Sequence, residues 1–548
     1  EEDPTMAKLS GNDLVARALQ DEGVDTVFYL TGGPMVDVAA RCIERFRSVD
    51  VRHEQAAAMA AHAYSRVIGK PGVCFAASGP GATNLITGVG NAFLDAVPVV
   101  ALGGASAVAQ AGMGAFQEMD QVGMFKPITK LAERVVDTRR IPEIINKAFR
   151  VATSGQPGPV YVDLPGDVLY RRVEESEVLF FKQGHAAPRI SGDPAMVKRA
   201  IALLKQAKRP LILTGTGIFW SGAMRELKEF VELTGIPFYT TPQGRGVIPE
   251  DHPLSFLGAR NQAWKEADVV LIIGTRLNFI VGFGMPPRWA EDVKFIQVDI
   301  CDEEIGRNRP VEIGIVGDAK MVLGQLIDEA RDGFHDHKQL EWPETLRGYD
   351  KRALEKSQAL LNSDAVPIHP LRLCKEVRDF MDREAIIVVD GHEILNFARQ
   401  SIPLYAPGHS VNAGPNGCMG VAVPFGMGAK VAKPGQQVIV LSGDGSFGMN
   451  GMEIDTMVRH NIPVLTVISN NGGWAGIGGM NAGRDLGYSR YDKMAEVFGG
   501  YGEYVERPEA IRPALERAAA SGKPAVVNVI TDPNARSSTV SFANYRAI

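Results

Sequence analysis

Short runs such as VVLII, FIQVDI, IIVVD and VIVLSG, apolar and rich in β-branched residues, recur along the whole chain and alternate with stretches of helical spacing. A run of this kind has no polar face, so both faces must be covered. The simplest cover is a layer of helices on each side of a parallel sheet. Three sets emerge. The first reads DTVFYL, GVCFAAS, PVVALGG and PVYVDLP; the second RPLILTG, PFYTT, DVVLIIG and KFIQVDI; the third AIIVVDG, QVIVLSG, PVLTVIS and PAVVNVI. The expected fold class is therefore α/β, with three doubly wound parallel-sheet domains at residues 7–185, 193–345 and 366–534 and a tail at 535–548. The breaks fall in polar stretches without strong periodicity, KQGHAAPRISGDP and LEKSQALLNSDAVPIHP.

Composition narrows the partners. At 548 residues the chain is long enough for several cores, and a net charge of −6 without any basic block argues against nucleic acid. No apolar run reaches bilayer length, and no N-terminal stretch resembles a signal peptide, so no membrane partner is expected. Five scattered cysteines without C-x-x-C spacing suit a reducing compartment, and the expectation is a cytoplasmic protein.

Sheets of this class bind ligands at the carboxyl ends of their strands. In LSGDGSFGMNGMEIDTMVRHNIPVLTVISNNGG, a strand ends at Asp444, a helix follows, and the next strand ends at Asn470-Asn471. If the two strands are neighbours, they lie about 4.8 Å apart, close enough for the Asp444 carboxylate and the Asn471 oxygen to share one hard cation. A magnesium ion with so few protein ligands normally holds phosphate oxygens as well, and Gly443 and Gly445 allow a close backbone approach to that phosphate. Taken singly, Asp-Gly and Asn-Asn-Gly are ordinary turn punctuation.

Gly443-Asp444-Gly445 followed by Asn470-Asn471 resembles the diphosphate-binding motif of thiamine diphosphate enzymes, and the resemblance extends over nearly the whole chain. It implies a pyrimidine-binding, a central nucleotide-binding-like and a diphosphate-binding domain, in that order. It also implies thiamine diphosphate and Mg2+ as cofactors, with Asp444, Asn471 and the backbone of Gly473 on the metal. Further cofactor contacts are implied at Pro80, Asn84, Met419, Gly443, Gly445, Ser446, Trp474 and Ala475. In VRHEQAAAMAAHAYSR, Glu54 opens an Ala-rich helix, where a carboxylate also serves as a simple cap. By the resemblance, Glu54 is the carboxyl that activates the aminopyrimidine of the cofactor. Met419 matches the residue that keeps the cofactor bent, with core packing as the plain alternative. Because Glu54 and Asp444 lie in different domains, the resemblance implies a homodimer or homotetramer with sites between subunits.

The branch of the family turns on fewer residues. GAFQEMDQVGMFKPITK resembles acetolactate synthase, whose active-site glutamine Gln117 matches, but GGWAGIGGMNAGRDLGYSRYDKMAE departs from that enzyme. SGDGSFGMNGMEIDTMVRHNIPV, GTRLNF, SFLGARNQAW, ILNFARQS and RYDKMAEVFGGYGE resemble the branch of oxalyl-CoA decarboxylase and 2-hydroxyacyl-CoA lyase. There Arg260, Asn261 and Arg399 match positions near coenzyme A. Guanidinium suits phosphate, although each arginine alone reads equally as a surface charge. Phe116-Gln117 and Trp474-Ala475 stand where the decarboxylase carries Tyr-Glu and Ile-Tyr, which favours a neutral aldehyde or ketone fragment. The expected activity is that of a 2-hydroxyacyl-CoA lyase acting on an acyl-CoA and releasing formyl-CoA, with Glu54, Gln117 and Phe116 catalytic. Glu503 is either an extra acid–base group or a surface residue. Acetolactate synthase-like condensation, oxalyl-CoA decarboxylation and an inactive member with a binding role stay open. In the central domain, Gly215, Arg276, Asp299 and Asp318 match nucleotide contacts for ADP, with FAD or an empty site as alternatives. Gln156 and Thr216 replace basic residues of the decarboxylase there. The tail ARSSTVSFANYRAI is a lid or a packing segment.

Overall fold

The computed structural model describes residues 8–181, 188–331, 334, 341–474 and 483–537. A short antiparallel pair, β1 (Lys8–Ser10) with β8 (Arg172–Glu174), ties together the two ends of the first domain. Inside it, β2 (Thr26–Leu30), β3 (Arg47–Asp50), β4 (Gly72–Ala76), β5 (Val99–Ala105), β6 (Leu131–Arg134) and β7 (Val160–Pro165) form one parallel sheet in the order 3-2-4-5-7-6. The second sheet holds β9 (Pro210–Thr214), β10 (Phe238–Thr240), β11 (Val269–Ile273), β12 (Lys294–Asp299) and β13 (Ile313–Val316) in the order 10-9-11-12-13. The third holds β14 (Ile386–Asp390), β15 (Ser410–Val411), β16 (Val438–Gly443), β17 (Leu465–Asn470), β18 (Tyr501–Val505) and β19 (Ala525–Ile530) in the order 15-14-16-17-19-18.

Counted from the first strand of each sheet, the first and third both run 2-1-3-4-6-5, and the middle one runs 2-1-3-4-5. The α/β class and the three parallel sheets follow the expectation. Strands β4, β5, β7, β9, β11 and β14 are buried at every position, which is why their residues are apolar without alternation. In each sheet the strand order reverses beside the first strand, and a crevice opens there.

One apolar cluster joins the first and third domains, running from Phe28 and Val49 to Phe425 and Val440. At its centre the helix Glu54–Ile68 is squeezed between its own sheet and the helix Ala422–Ala432. Small residues make this possible. A Cβ at Gly428 would lie 2.2 Å from Ala60 O, and one at Gly72 would lie 2.0 Å from Ala61 O. That close approach on two sides explains the alanine run: larger side chains would push the helices apart.

The expected irregular stretch near 354–370 is irregular from 362 to 369, but its first part belongs to a helix, Glu341–Leu361. Trp342 and Leu346 anchor one end in the middle domain and Leu361 the other in the third. Burial confined to the ends leaves the intervening residues polar, so the apolar period is too weak to read from sequence.

Candidate active site

Strand β16 delivers Gly443 to the crevice, and the helix Asp444–Asn450 starts at once. Its neighbour β17 pairs in register, Gly443 opposite Ser469, so Asp444 and Asn470-Asn471 leave the sheet side by side. The two asparagines then part. Asn470 turns inward, its amide donating to Asn528 Oδ1 at 3.1 Å and its oxygen accepting from Gly472 N at 3.1 Å, which shapes the turn. Asn471 faces the crevice. Its carboxamide stands 3.1 Å from Asp444 Oδ1 and 2.8 Å from Gly473 O. With the nitrogen turned inward it donates to both; with the oxygen inward, three oxygens converge and only a cation relieves their repulsion.

Asp444 is 2% exposed, and its Oδ2 is buried without a hydrogen-bond partner. Burial pushes its carboxyl up to about 6, against the pull of the Gly445, Gly472 and Gly473 amides. Among the described residues no group of three or more His, Cys, Asp or Glu side chains could hold a metal. One carboxylate with an amide and a backbone oxygen is the donor set of a hard cation that keeps other oxygen ligands. The residues therefore fit a metal–diphosphate pair.

Around them lies a cavity of about 100 Å³, lined by Met419, Gly443, Gly445, Ser446, Asn471, Gly473 and Trp474 as expected, and also by Gly391, His392 and Glu393. The Trp474 ring lies over Gly445, where a Cβ would come within 2.7 Å of it. Gly391, at φ 108°, lets β14 end close against Gly443: its Cβ would be 3.2 Å from Gly443 N. Sequence reading missed this wall, although VVDGHE ends a strand in the same way as VLSGDG. Glu393 Oε2 accepts from Ser537 N at 2.7 Å, and Ala535 lines the same cavity, so the start of the 535–548 tail packs against its wall. Residues 538–548 and Ala475 lie outside the described residues.

Glu54 is the first residue of its helix, with His53 as the cap: His53 Nδ1 accepts from Gln55 N at 3.2 Å. The Glu54 carboxylate is 8% exposed, and Asn84 Nδ2 donates to its Oε2 at 2.9 Å. Pro80 opens the short helix Pro80–Asn84 behind it, after Gly79 at φ 58°, where a Cβ would strike Gln117 Cβ at 2.7 Å. Gln117 itself holds φ 59°, a strained value for a side-chain residue, and its Oε1 accepts from Ser78 Oγ at 2.5 Å. Phe116 is 85% exposed. The loop is held by Glu118, which sequence reading passed over; its carboxylate accepts from the amides of Gly112, Gly114 and Ala115. Glu54, Gln117 and Phe116 do not line the Asp444 cavity of their own chain.

Glu503 does not join either cluster. On β18, Arg517 grips it with two bonds, 2.7 Å to Oε1 and 3.0 Å to Oε2, and Tyr501 donates to it at 2.7 Å. The Arg517 bonds hold its carboxyl below the usual range, so it is an ion-pair fixture rather than an acid–base group.

Arg260 and Arg399 converge with Arg245. Burial, then Arg245 and Arg260, lowers Arg399 to about 9; burial, then Arg288 and Arg245, lowers Arg260 to about 10. Among the described residues, Arg245 alone of the three has a carboxylate partner, Glu250, at 2.7 and 2.5 Å. Arg399 reaches Asn412 Oδ1 at 3.4 Å, and its Nε is buried without a partner. Asn261 lies exposed beside Arg260. Arg260 and Arg399 are half-buried, and guanidinium held together in this way suits an anion.

A cavity of about 450 Å³ opens at the carboxyl ends of the middle sheet and is lined by Arg276, Asp299, Asp318, Gln156 and Thr216. Gly215 sits beneath, where a Cβ would meet Thr275 Cβ at 2.7 Å. Asp299 accepts from Cys301 N at 2.9 Å, and burial pushes it up to about 6. Asp318 pairs with Arg189 at 2.9 Å, and Arg276 donates to Leu94 O of the first domain at 2.7 Å.

Comparison with known proteins bears on all three sheets. Models of thiamine pyrophosphate enzymes match as an N-terminal TPP binding domain over residues 9–124, a central domain over 197–326 and a C-terminal TPP binding domain over 394–529. A 2-hydroxyacyl-CoA lyase of Arabidopsis thaliana is 37% identical, over 96% of both chains. An acetolactate synthase large subunit of Mycobacterium tuberculosis is 38% identical over 95% of both. An oxalyl-CoA decarboxylase of Escherichia coli strain K12 is 35% identical over 96% of this chain and 95% of that one. No helix among the described residues is long and apolar enough to cross a membrane. With one match per sheet, in the order in which the sheets follow, the chain belongs to the family of thiamine pyrophosphate enzymes.

Proposed function

We propose that this chain is a 2-hydroxyacyl-CoA lyase. The bond between the thioester carbonyl and the hydroxyl-bearing carbon breaks, the hydroxyl loses its proton as an aldehyde or ketone forms, and the thioester carbon gains a hydrogen to leave as formyl-CoA. Atoms and electrons balance without a redox partner. The observation that carries the choice is the arginine group: Arg245 stands beside Arg260 and Arg399 and engages Glu250 itself, while Arg399 keeps a buried Nε without a partner among the described residues. A small 2-oxoacid has no use for such a surplus away from the reacting carbon, whereas the phosphates of coenzyme A do.

Bound thiamine diphosphate would supply a carbon nucleophile that also accepts the electron pair of the broken bond. Asp444, Asn471 and the Gly473 carbonyl would hold Mg2+, and Gly443, Gly445 and Ser446 would face the diphosphate. Glu54, oriented by Asn84, would hold a proton at the aminopyrimidine. Ser78 occupies the Gln117 oxygen and leaves its amide nitrogen to donate to the substrate oxygen. Phe116 and Trp474 would form the apolar wall. Since Glu54 and Asp444 of one chain share no cavity, a second copy completes each site, in a homodimer or homotetramer. The central cavity would take ADP, with Asp299 on the ribose.

The test is direct. The protein, given thiamine diphosphate and magnesium, is offered either a 2-hydroxyacyl-CoA or pyruvate. Formyl-CoA with an equimolar carbonyl product is expected. Acetolactate from pyruvate, without formyl-CoA from the thioester, would hand the reading to the synthase.

A further inference from the structure

Glu453 opens the helix Glu453–Arg459 of the third domain, yet both backbone amides that bond its carboxylate belong to the first. Its side chain is 1% exposed. Oε1 accepts from Arg52 N and His53 N, each at 3.1 Å, while Oε2 accepts from Arg52 N at 3.2 Å and from Thr456 Oγ1 at 2.6 Å. These two amides are the last before Glu54. A carboxylate buried this far is tolerated only when its lone pairs are used, and here they are used on the backbone that aims one side chain. The neighbouring contact continues the seam: Gln55 Nε2 donates to Asn450 Oδ1 at 2.9 Å, and Asn450 Nδ2 to Gly420 O at 2.7 Å.

A second bond group crosses the same seam further from Glu54. Arg459 donates to Asp50 Oδ2 at 2.6 Å and to Asp50 O at 2.8 Å. It docks the two domains without touching the Arg52 and His53 amides. Arg459 also donates to Thr456 Oγ1 at 3.4 Å, so it reaches the Glu453 carboxylate only through that hydroxyl, and the pair separates docking from direct contact with the two amides.

We propose that Glu453 is a positioning residue for Glu54: it locks the turn between β3 and the Glu54 helix so that the Glu54 carboxyl meets the cofactor at a fixed angle. The proposal rests on the reading of Glu54 given above. The third domain thus does more than hold the diphosphate. From the helices that directly follow Asp444 it also sets the proton-handling group of the first domain.

Two readouts test this. The first is hydrogen exchange at the Arg52 and His53 amides of the whole, cofactor-free protein. The second is exchange of the acidic carbon-bound proton of thiamine diphosphate with deuterated water, in the presence of protein and magnesium and without any acyl-CoA. Glu453→Ala should raise the amide exchange about tenfold and slow the cofactor proton exchange about tenfold, as loss of charge-assisted hydrogen bonds predicts. Glu453→Gln, which keeps an acceptor, should restore both to within about threefold, and Arg459→Ala should leave both within about twofold. Glu453→Asp, which keeps the charge but falls short of the amides, should follow Glu453→Ala and carries the test if the alanine protein does not fold. The proposal is overturned if amide protection is lost while the cofactor proton exchanges at the normal rate, or if Arg459→Ala slows it equally. Absence of catalysed proton exchange in the unaltered protein would instead bring down the Glu54 reading, and the proposal with it.

Discussion

The first and third domains are built on one plan, strand order 2-1-3-4-6-5, and have opposite strand ends. After its third-placed strand, the first domain has Gly79-Pro80, a turn with no charge; the third domain has Gly443-Asp444-Gly445. After the second-placed strand, the first domain has Glu54 at the start of a long, fully packed helix, whereas the third has only the short β15 and the loop to Met419. The difference teaches that topology supplies a crevice and nothing more. On the proposed function, the residues at its lip decide whether it grips a diphosphate or handles a proton.

The comparison breaks most easily at Glu54. Glu54→Ala should lower turnover by about 10²- to 10⁴-fold, the range for a lost acid–base group, with magnesium-dependent cofactor binding nearly unchanged. Asp444→Ala should do the reverse at the first step: binding weaker by about 100-fold, read by titrating cofactor against tryptophan fluorescence, where Trp474 reports. If both variants lose binding equally, the two domains share one role and the contrast fails.

Much of this contrast is legible in the sequence. VIVLSGDG and LTVISNNGG announce buried strands with polar ends, because a strand covered on both faces must be apolar throughout and only its tip is free to carry chemistry. What escapes is held by long-range contact. Glu453 lies some four hundred residues from the amides it binds, separated by 400 and 401 positions. Arg245 joins Arg399 only after two domains pack. Glu118 works through three backbone amides that no pattern of side chains betrays. Glu503, open from sequence between an extra acid–base group and a surface residue, is another such case: its Arg517 partner lies fourteen residues away on a different element.

A smaller effect tests the arginine group, which neither lookalike domain explains by itself, since Arg245 and Arg260 come from the middle domain and Arg399 from the third. Arg399→Ala should raise the KM for a coenzyme A thioester by roughly tenfold, the worth of one charged hydrogen bond, and leave kcat close to normal. A fall in kcat with KM unchanged would place Arg399 near the reacting carbon and redraw the substrate path.

The smallest effect sharpens the comparison by adding the middle sheet, whose strand-end acid faces a cavity without a metal partner. Asp299 is 8% exposed, and burial pushes it up to about 6, with Glu304 adding to the rise and Arg276 opposing it. A carboxyl whose folded value exceeds its unfolded value of about 4 contributes its full stability below that value and loses it as pH climbs through about 6. At neutral pH the ligand-free protein therefore carries a buried charge as a cost. Asp299→Asn keeps an acceptor for Cys301 N and removes that charge. It should raise the stability of the ligand-free protein by about 3 kcal/mol at pH 7, seen as a higher unfolding temperature, and the gain should vanish toward pH 4. On the proposal that the central cavity takes ADP, the same substitution should weaken that binding, because a neutral amide accepts a ribose hydroxyl less strongly than a carboxylate does. A gain that persists at pH 4 would mean that packing rather than charge sets the cost at this strand end.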